Sequence, residues 1–550
     1  MGERGASAPA RCLTWLILAA GAFWGVSVAG GEPILPPVEE LLPEKETLGA
    51  RATVHVREFR FEGNTAFTDE ELAEALEPYT NRRLTSEELQ RVRRALTLHY
   101  VEHGYVNSGA FLPDQTVQNG IVSFQVVEGR LAQVVVRGNA RTSTEYIRDR
   151  VRPGRPLNVS RLHESLEVLR QDPIFRRLEA ELQPGAEPGR SRLELEVTEA
   201  RLWTAALEFA NDQNPAVGSE RFRLLLGHRN LSGVGNTLDV RYGLTTNGIS
   251  DMEFAGLDNV SLLYTHPVTA RDTWLILGFT TSDTLLIEAP FRDLDITSET
   301  EAYTVGVRHP LYRTPRSEFA LSLVGEHRTN ETELMGEPFS FEPGAEDGDT
   351  TVTALRFGQE WHTRDERRAL AVQSTFTFGL PALESTDNVD EADSEFLAWL
   401  GQVRYVRRLG ETDNRLILSA STQLANDSLL SLERFGVGGR YTVRGYRENQ
   451  IVRDNGAVAS AELRLPLLRD HETRSPVVQL APFFDVGYGW NTKSPEDPEV
   501  LPSAGLGLLF NIEDRVDAEL YWGVAMEDFD QAEHDLQDTG LHFRVTVGSF

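Results

Sequence analysis

Cysteine is all but absent: the 550 residues contain one, Cys12, at the start of an N-terminal apolar segment. Everything beyond that segment is without a thiol nucleophile, a disulfide or a thiolate metal ligand. Basic residues are scarce against acidic ones, 54 Lys and Arg to 84 Asp and Glu, for a formal charge of −30. A phosphate-binding surface needs concentrated positive charge, so no nucleic-acid partner is expected. Past the N-terminus no window approaches 18 uninterrupted apolar residues, which excludes helical membrane spans there. It leaves a β-barrel open, because alternating strands barely register in hydropathy.

What is present begins at the N-terminus. Arg4 and Arg11 precede the apolar stretch 13–28 (LTWLILAAGAFWGVSV), and Ser27 and Ala29 sit at −3 and −1 of a cleavage point before Gly30. Residues 1–29 resemble a secretory signal; as a membrane anchor the run is short and interrupted by Gly. Residues 30–52 are rich in Pro and Glu and read as a linker.

A pattern then occurs twice. FRFEGNTAF (59–67) is echoed by VVVRGNART (134–142), each a strand-like run turning at Gly-Asn (Gly63-Asn64, Gly138-Asn139). Each enters a helix through an expected capping box, Thr68 with Glu71 and Thr142 with Glu145. A second helix follows in each copy. One starts at the Thr85–Glu88 box with Leu89, Val92 and Leu96 on one side; the other starts near Asn158 with Leu162, Leu166 and Leu169. Two alternating strands close each copy, GYVNSGAFLP with IVSFQVVEG and FRRLEAEL with RLELEVTEA. The order β-α-α-β-β predicts two small α+β modules, over 53–129 and 130–200.

From 201 to 550 the texture changes to alternating runs divided by Gly, Asn, Asp and Pro clusters, with about sixteen candidate strands. About 22 residues per strand and connection is ample for membrane strands of roughly 9–11 residues. Facing is the sharpest test. In VVQLAPFFDVGYGW (477–490) the even positions Val478, Leu480, Phe484, Val486, Tyr488 and Trp490 are apolar. The odd ones include Gln479, Ala481, Asp485, Gly487 and Gly489, with Phe483 the exception. DRVDAELYWGVAM (514–526) and AVASAELRLPL (457–467) divide the same way, with Asp517, Glu519 and Gly523, then Ser460, Glu462 and Arg464, on the polar side. A lipid-facing apolar side and a wet polar interior explain all three. Tyr488 and Trp490 at a strand end fit an interfacial aromatic girdle. In the last strand, LHFRVTVGSF, the residues Leu541, Phe543, Val545 and Val547 are out of phase with Phe550, and a bulge near Gly548 is expected to repair the register.

The module order and Gly-Asn turn resemble the POTRA domain of bacterial outer-membrane transport proteins. The first copy carries Leu112-Pro113-Asp114-Gln115, then Gly120, then VVEG at 126–129. It looks like the version found in two-partner secretion transporters, the hemolysin secretion/activation family. The Gly-rich stretch FGVGGRYTVRGYRE (435–448) resembles that superfamily's loop that folds back into the barrel, its signature being Val443-Arg444-Gly445-Tyr446. A second element, F-x-D-x-G, matches Phe483, Asp485 and Gly487. The resemblance implies a loop over about 432–455, turning at Gly438 and Gly439, whose Arg444 pairs with Asp485 on the inner wall.

The implied fold is a signal peptide, two periplasmic α+β POTRA domains and a C-terminal 16-stranded antiparallel transmembrane β-barrel. The implied function is type V two-partner secretion: a monomer in outer-membrane lipid that recognises an unfolded, hemolysin- or adhesin-like exoprotein and exports it, without enzymatic activity, cofactor or metal. Pro113, Gln115 and Gly120 read either as a strand end and turn or as contacts to the exported partner. Alternatives are an outer-membrane assembly factor of the same superfamily, against which the two modules and the LPDQ stretch argue, and a diffusion porin, which leaves the modules unexplained. Family members often begin with a plugging helix; here 30–50 offers the short VEELLPEKE. His99-Tyr100-Val101-Glu102-His103 matches a zinc-protease pattern without an identifiable third ligand, and Gly436-x-Gly438-Gly439 lacks the context of a phosphate cradle.

Overall fold

The computed structural model describes residues 53–246, 254–388, 392–493, 499–512, 515–531 and 533–549. The expected signal and linker (1–52) and Phe550 lie outside them. The chain divides into two compact units, meeting in sequence between Ala200 and Arg201.

In the first unit, Glu58–Glu62 and Ile121–Val127 pair in parallel and Gly109–Phe111 adds antiparallel to the latter, with helices Asp69–Ala75 and Ser86–Glu102 between. Leu72, Leu89, Val92, Leu96 and Tyr100 bury against Phe59, Phe61, Val122 and Phe124. The following segment repeats this topology. Arg130–Arg137 pairs in parallel with Arg190–Glu199, which pairs antiparallel with Phe175–Pro184, and helices Thr144–Arg150 and Val159–Arg170 intervene. The first copy also has a two-stranded ribbon, Thr53–Val56 with Arg82–Thr85.

The capping boxes at Thr68 and Thr85 are both formed. That expected at Thr142 is not: the helix starts one residue later, capped by Ser143, whose Oγ accepts from Glu145 N at 3.2 Å. Thr142 N is instead taken by a carboxylate, Glu199, at 2.7 Å.

That carboxylate belongs to a device present in both copies. Gly63 and Gly138 have φ of +88° and +83°, and a Cβ would stand 2.5 Å from Val126 O and 2.1 Å from Val197 O, so only glycine fits. Just beyond, Glu128 accepts from Thr65 N at 2.6 Å, Ala66 N at 2.8 Å and Tyr100 Oη at 3.1 Å, as Glu199 accepts from Arg141 N at 2.9 Å. Burial works to raise the Glu128 carboxyl, but the hydrogen bonds from Thr65, Ala66 and Tyr100 hold it below the usual carboxylate range. A depressed folded pKa gives stability that is present above the unfolded value and lost as pH falls through the folded one. Glu128→Ala is expected to loosen this turn by about 1–2 kcal/mol, discounted for partial exposure. Hydrogen exchange over 59–67 in the full-length protein should therefore accelerate at pH 7 in the variant. In the wild type, protection relative to the intrinsic exchange rate should be lost only on acidification below the ordinary carboxylate range.

The second unit is a closed barrel of sixteen long antiparallel strands, from Trp203–Ala210 to Leu541–Ser549. A two-residue strand, Glu337–Pro338, extends one edge. Closure runs from Arg544 opposite Ala210 to Ser549 opposite Ala205 without a register shift, so the bulge expected near Gly548 is absent. The irregularities fall elsewhere: between Leu244 and Thr246, and between Pro310 and Tyr312 and between Pro466 and Arg469, where Pro cannot donate to the ladder. Short turns gather at one end and long loops at the other, as in outer-membrane barrels, whose short turns are periplasmic.

Side chains face as the alternation predicts. Phe484, Tyr488, Leu520, Trp522, Val545 and Val547 are exposed on the outside, while Asp485, Gln479, His542 and Thr546 are buried inside. The interior is not a simple wet lumen, because residues between the strands Arg415–Ala425 and Asn455–Arg469 leave the wall. Those two strands pair directly, Gln423 opposite Gly456.

Candidate functional site: the inward loop and its anchors

The loop between these strands carries a small ribbon, Phe435–Val437 with Ile451–Arg453, and a tight tip. Gly438, Gly439 and Gly445 have φ of +112°, +97° and +98°, a region that disfavours every other residue. Thr442 fastens the tip, its Oγ1 accepting from Gly438 N at 2.9 Å and donating to Gly438 O at 2.7 Å. Val437, Val443, Tyr446 and Ile451 pack as a buried wedge against Val458 and Leu501 of the wall.

The tip presents Arg444 to one patch of inner wall. Its Nε and Nη2 donate to Asp485 Oδ2 and Oδ1 at 2.8 and 2.9 Å, a bidentate grip, and its own backbone N donates to Oδ2 at 3.1 Å. Nη1 donates to Glu462, and Nη2 to Ser460 Oγ at 3.1 Å. The guanidinium lies 3.7 Å from the centroid of the Phe483 ring and 4.6 Å from that of Tyr521. Asp485 is wholly inaccessible and Arg444 6% exposed. In so dry a setting planarity, two-point contact and ring stacking all favour Arg over Lys. Phe483, the apolar intruder in an otherwise polar face, is thus the platform for the cation.

Close backbone approach seats the tip. A Cβ on Gly445 would lie 3.0 Å from Gly523 C, one on Gly523 would lie 2.8 Å from Gly445 N, and one on Gly487 would meet Val437 Cγ1 at 2.3 Å. Gly445 N donates to His542 Nε2 at 3.0 Å, and Tyr446 Oη to Pro502 O at 2.8 Å.

Other anchors were not apparent in sequence. At the loop's base Glu433 accepts from Arg356 Nη2 at 2.7 Å and Nη1 at 3.1 Å. Arg328 donates to Leu432 O at 2.7 Å, and Glu326 bonds both arginines. Arg440 pairs with Glu519, and Arg447 with Glu288 and Asp538. The hint available was that acids and arginines share inner-face parity; the pairing itself spans 77 residues for Arg356 and Glu433. Glu433→Gln is expected to destabilise the barrel by about 2–3 kcal/mol, since it removes a charged acceptor from two buried guanidiniums. Urea titration of heat-modifiable mobility would measure it.

The other motif residues lie in the first unit. Gln115 acts as a side-chain strand, Oε1 accepting from Ser123 N at 2.8 Å and Nε2 donating to Ser123 O at 2.7 Å. Pro113 follows Gly109–Phe111 and is exposed. Gly120 turns at φ +76°, and its carbonyl accepts from Arg57 N at 2.7 Å. His99 and His103 pack with Phe67, at ring distances of 4.6 and 5.2 Å. Among the described residues no three His, Cys, Asp or Glu are grouped to hold a metal ion.

Comparison with known proteins finds relatives for both parts of the chain. The model of the haemolysin secretion/activation protein ShlB/FhaC/HecB family matches residues 189–510, and that of the ShlB-type POTRA domain matches 54–129. The outer membrane transporter CdiB of Dickeya dadantii is 24% identical over 435 residues, 75% of this chain and 73% of that protein. The heme/hemopexin transporter protein HuxB of Haemophilus influenzae is 21% identical over 475 residues, 82% of this chain and 79% of that one. Among solved structures, CdiB from Escherichia coli superposes with a TM-score of 0.69 at 21% identity, covering 92% of this chain and 93% of its own. CdiB from Acinetobacter baumannii gives 0.65 at 15% identity, covering 97% and 96%.

Proposed function

From the premise that this chain belongs to the haemolysin secretion/activation protein family, we propose that its inward loop is a lid latched by Arg444 and Asp485, which closes the barrel between rounds of export. The protein is an outer-membrane two-partner secretion exporter, with POTRA structure in the periplasm. Its family works with a secreted exoprotein, and in this reading that partner arrives unfolded. The segment 130–200, which repeats the topology of 53–129, acts as a second POTRA domain. Residues 1–29 serve as a cleaved signal, and the exporter works as a monomer in outer-membrane lipid. A free sheet edge in either module can add a strand of extended cargo through backbone hydrogen bonds, with little demand on sequence. Gln115, bonded to its own module's Ser123, shapes such an edge; the exposed segment around Pro113 is where cargo contact is assigned.

The observation that carries the lid reading is the seating of the tip. Arg444, the loop's central cation, is spent entirely on wall residues, which holds the loop inside the barrel. A diffusion porin leaves the POTRA structure unexplained.

The test is cargo partition. The chain is expressed with a secreted partner encoded beside it, and that partner is quantified in medium and periplasm for wild type and for Arg444→Ala. Export by the wild type, lost or strongly reduced in a correctly inserted Arg444→Ala barrel, is expected. No export of any neighbouring partner, with general barrel assembly impaired on depletion, would favour the assembly-factor reading.

A further inference from the structure

Part of the inner wall carries arginines that the loop does not use. The strands Leu397–Arg408, Arg415–Ala425 and Asn455–Arg469 are neighbours, and Val403, Leu418 and Ala459 mark their outer faces. The opposite parity places Arg404, Arg408, Arg415 and Arg464 on the inner face. Register sets Arg408 opposite Arg415 and Arg415 opposite Arg464 at the short-turn end. Four residues along, Arg404 is opposite Ser419, Ser419 opposite Ser460 and Ser460 opposite Asp485, so Arg404 stands in the same row as the latch carboxylate. At about 3.3 Å per residue the two rows are about 13 Å apart.

Like charges placed directly across strands destabilise a sheet. Elsewhere in this barrel the cost is met by acids: Arg356 has Glu326 and Glu433, Arg308 has Glu318 and Glu360, and Arg223 has Glu208 and Asp212. Here Glu462 is the single carboxylate on the inner faces of the three strands, and it is shared by Arg464 and Arg444. Arg408 reaches Asp413 of the turn. Among the described residues the side chains of Arg404 and Arg415 hold no hydrogen bond and no ion pair. Both stay partly open to solvent. Two guanidiniums without a bonded acid, beside two more that each hold one, in a chain of net charge −30, break a local rule without gain to the fold, which is where function is to be sought.

We propose that Arg415, Arg464 and Arg404 form a cationic track along one wall of the barrel, from its periplasmic mouth to the latch, that binds carboxylate-bearing segments of the exported polypeptide. The proposal rests on the exporter reading above. A guanidinium donates to a carboxylate at two points yet releases it readily where water reaches, so successive weak contacts guide a moving chain rather than trap it. A wall of one sign also concentrates oppositely charged ligand at its mouth. At the upper row an arriving carboxylate stands level with Asp485 and competes with it for Arg444, which couples acidic cargo to release of the lid.

The test uses the full-length protein in a planar bilayer, with short oligoglutamate or oligoglutamine peptides added on the periplasmic side, below the lid. Oligoglutamate should block the residual current of the wild type at about tenfold lower concentration, or less, than that of Arg404→Gln/Arg415→Gln. Arg404→Lys/Arg415→Lys should stay close to wild type, because the charge remains. Oligoglutamine should not distinguish them, and the difference should shrink at ~1 M salt, where the Debye length is about 3 Å. Equal blockade of wild type and the Gln variant by oligoglutamate, or no blockade of the wild type, overturns the track. Measuring secretion of the partner in parallel separates this from the exporter reading. Failure of the wild type to export any partner sinks that reading, whereas normal export with unchanged blockade in the Gln variant sinks the track alone.

Discussion

Arg444→Ala is expected to cost about 3–5 kcal/mol of barrel stability, because it strands one partner of a buried pair rather than removing both. Asp485, with no accessible surface, would keep Ser460 Oγ at 2.6 Å as its remaining side-chain donor. Glu462 would keep Arg464 at 2.7 Å and Tyr521 Oη at 3.2 Å. The same substitution removes a cation stacked on Phe483 and Tyr521, so the lid loses its grip as the wall loses its countercharge. Arg444→Lys should recover less than half of the loss, since an ammonium cannot reproduce two parallel bonds to Asp485 and a face-on contact with Phe483. Urea titration of heat-modifiable mobility gives the stability, and conductance in planar bilayers gives the lid. A coupling energy near zero in the Arg444→Ala, Asp485→Ala double-mutant cycle would show that the pair does not hold the tip.

Gly523→Ala is expected to unseat the lid with every charge left in place. Its Cβ would lie 2.8 Å from Gly445 N and 2.9 Å from Arg444 C. Those are backbone atoms, so the contact cannot be relieved by swinging a side chain. Either the strand Val516–Ala525 bows outward or the tip moves off the wall; overpacking of this kind costs about 1–3 kcal/mol. Because the tip is held by separate local contacts and the barrel by a continuous ladder, the tip should give way around Gly445. Conductance should then rise toward that of Arg444→Ala, with a smaller loss of stability. Unchanged conductance in a correctly inserted Gly523→Ala barrel would mean that the close backbone approach does not hold the lid shut.

These two variants separate what fixes the loop by charge from what fixes it by shape, and the sequence bears on the two unequally. Alternation in 477–490 and 514–526 assigns Asp485, Glu519 and Gly523 to the inner face with no structure to hand, because a strand offers only two sides. Phe483 stands out there as an exception, but its reason, the guanidinium 3.7 Å above its ring, depends on a loop that leaves the wall and returns. The Gly-Asn turns were legible as repeats, since a φ near +85° can be read from glycine in a short motif. The carboxylates that clasp them, Glu128 and Glu199, lie 63 and 58 residues from the turn atoms they bind. The cap at Ser143 in place of Thr142 has the same origin: Glu199 takes the amide that would have begun the helix one residue earlier.

The sequence by itself determined the elements, their order and which side of each strand is wet, because those follow from periodicities of two and 3.6 and from local turn chemistry. It also marked the residue types of the latch through a short motif. Tertiary structure decided register, and register decided everything that depends on charge. One residue's slip in any of the three pairings between them would put Arg404 and Asp485 into different rows and on opposite faces of the wall. Whether an arginine is answered by an acid, as Arg356 is, or left open along the wall, as Arg404 and Arg415 are, is settled by neighbours that strand pairing and loop return bring together across long stretches of chain.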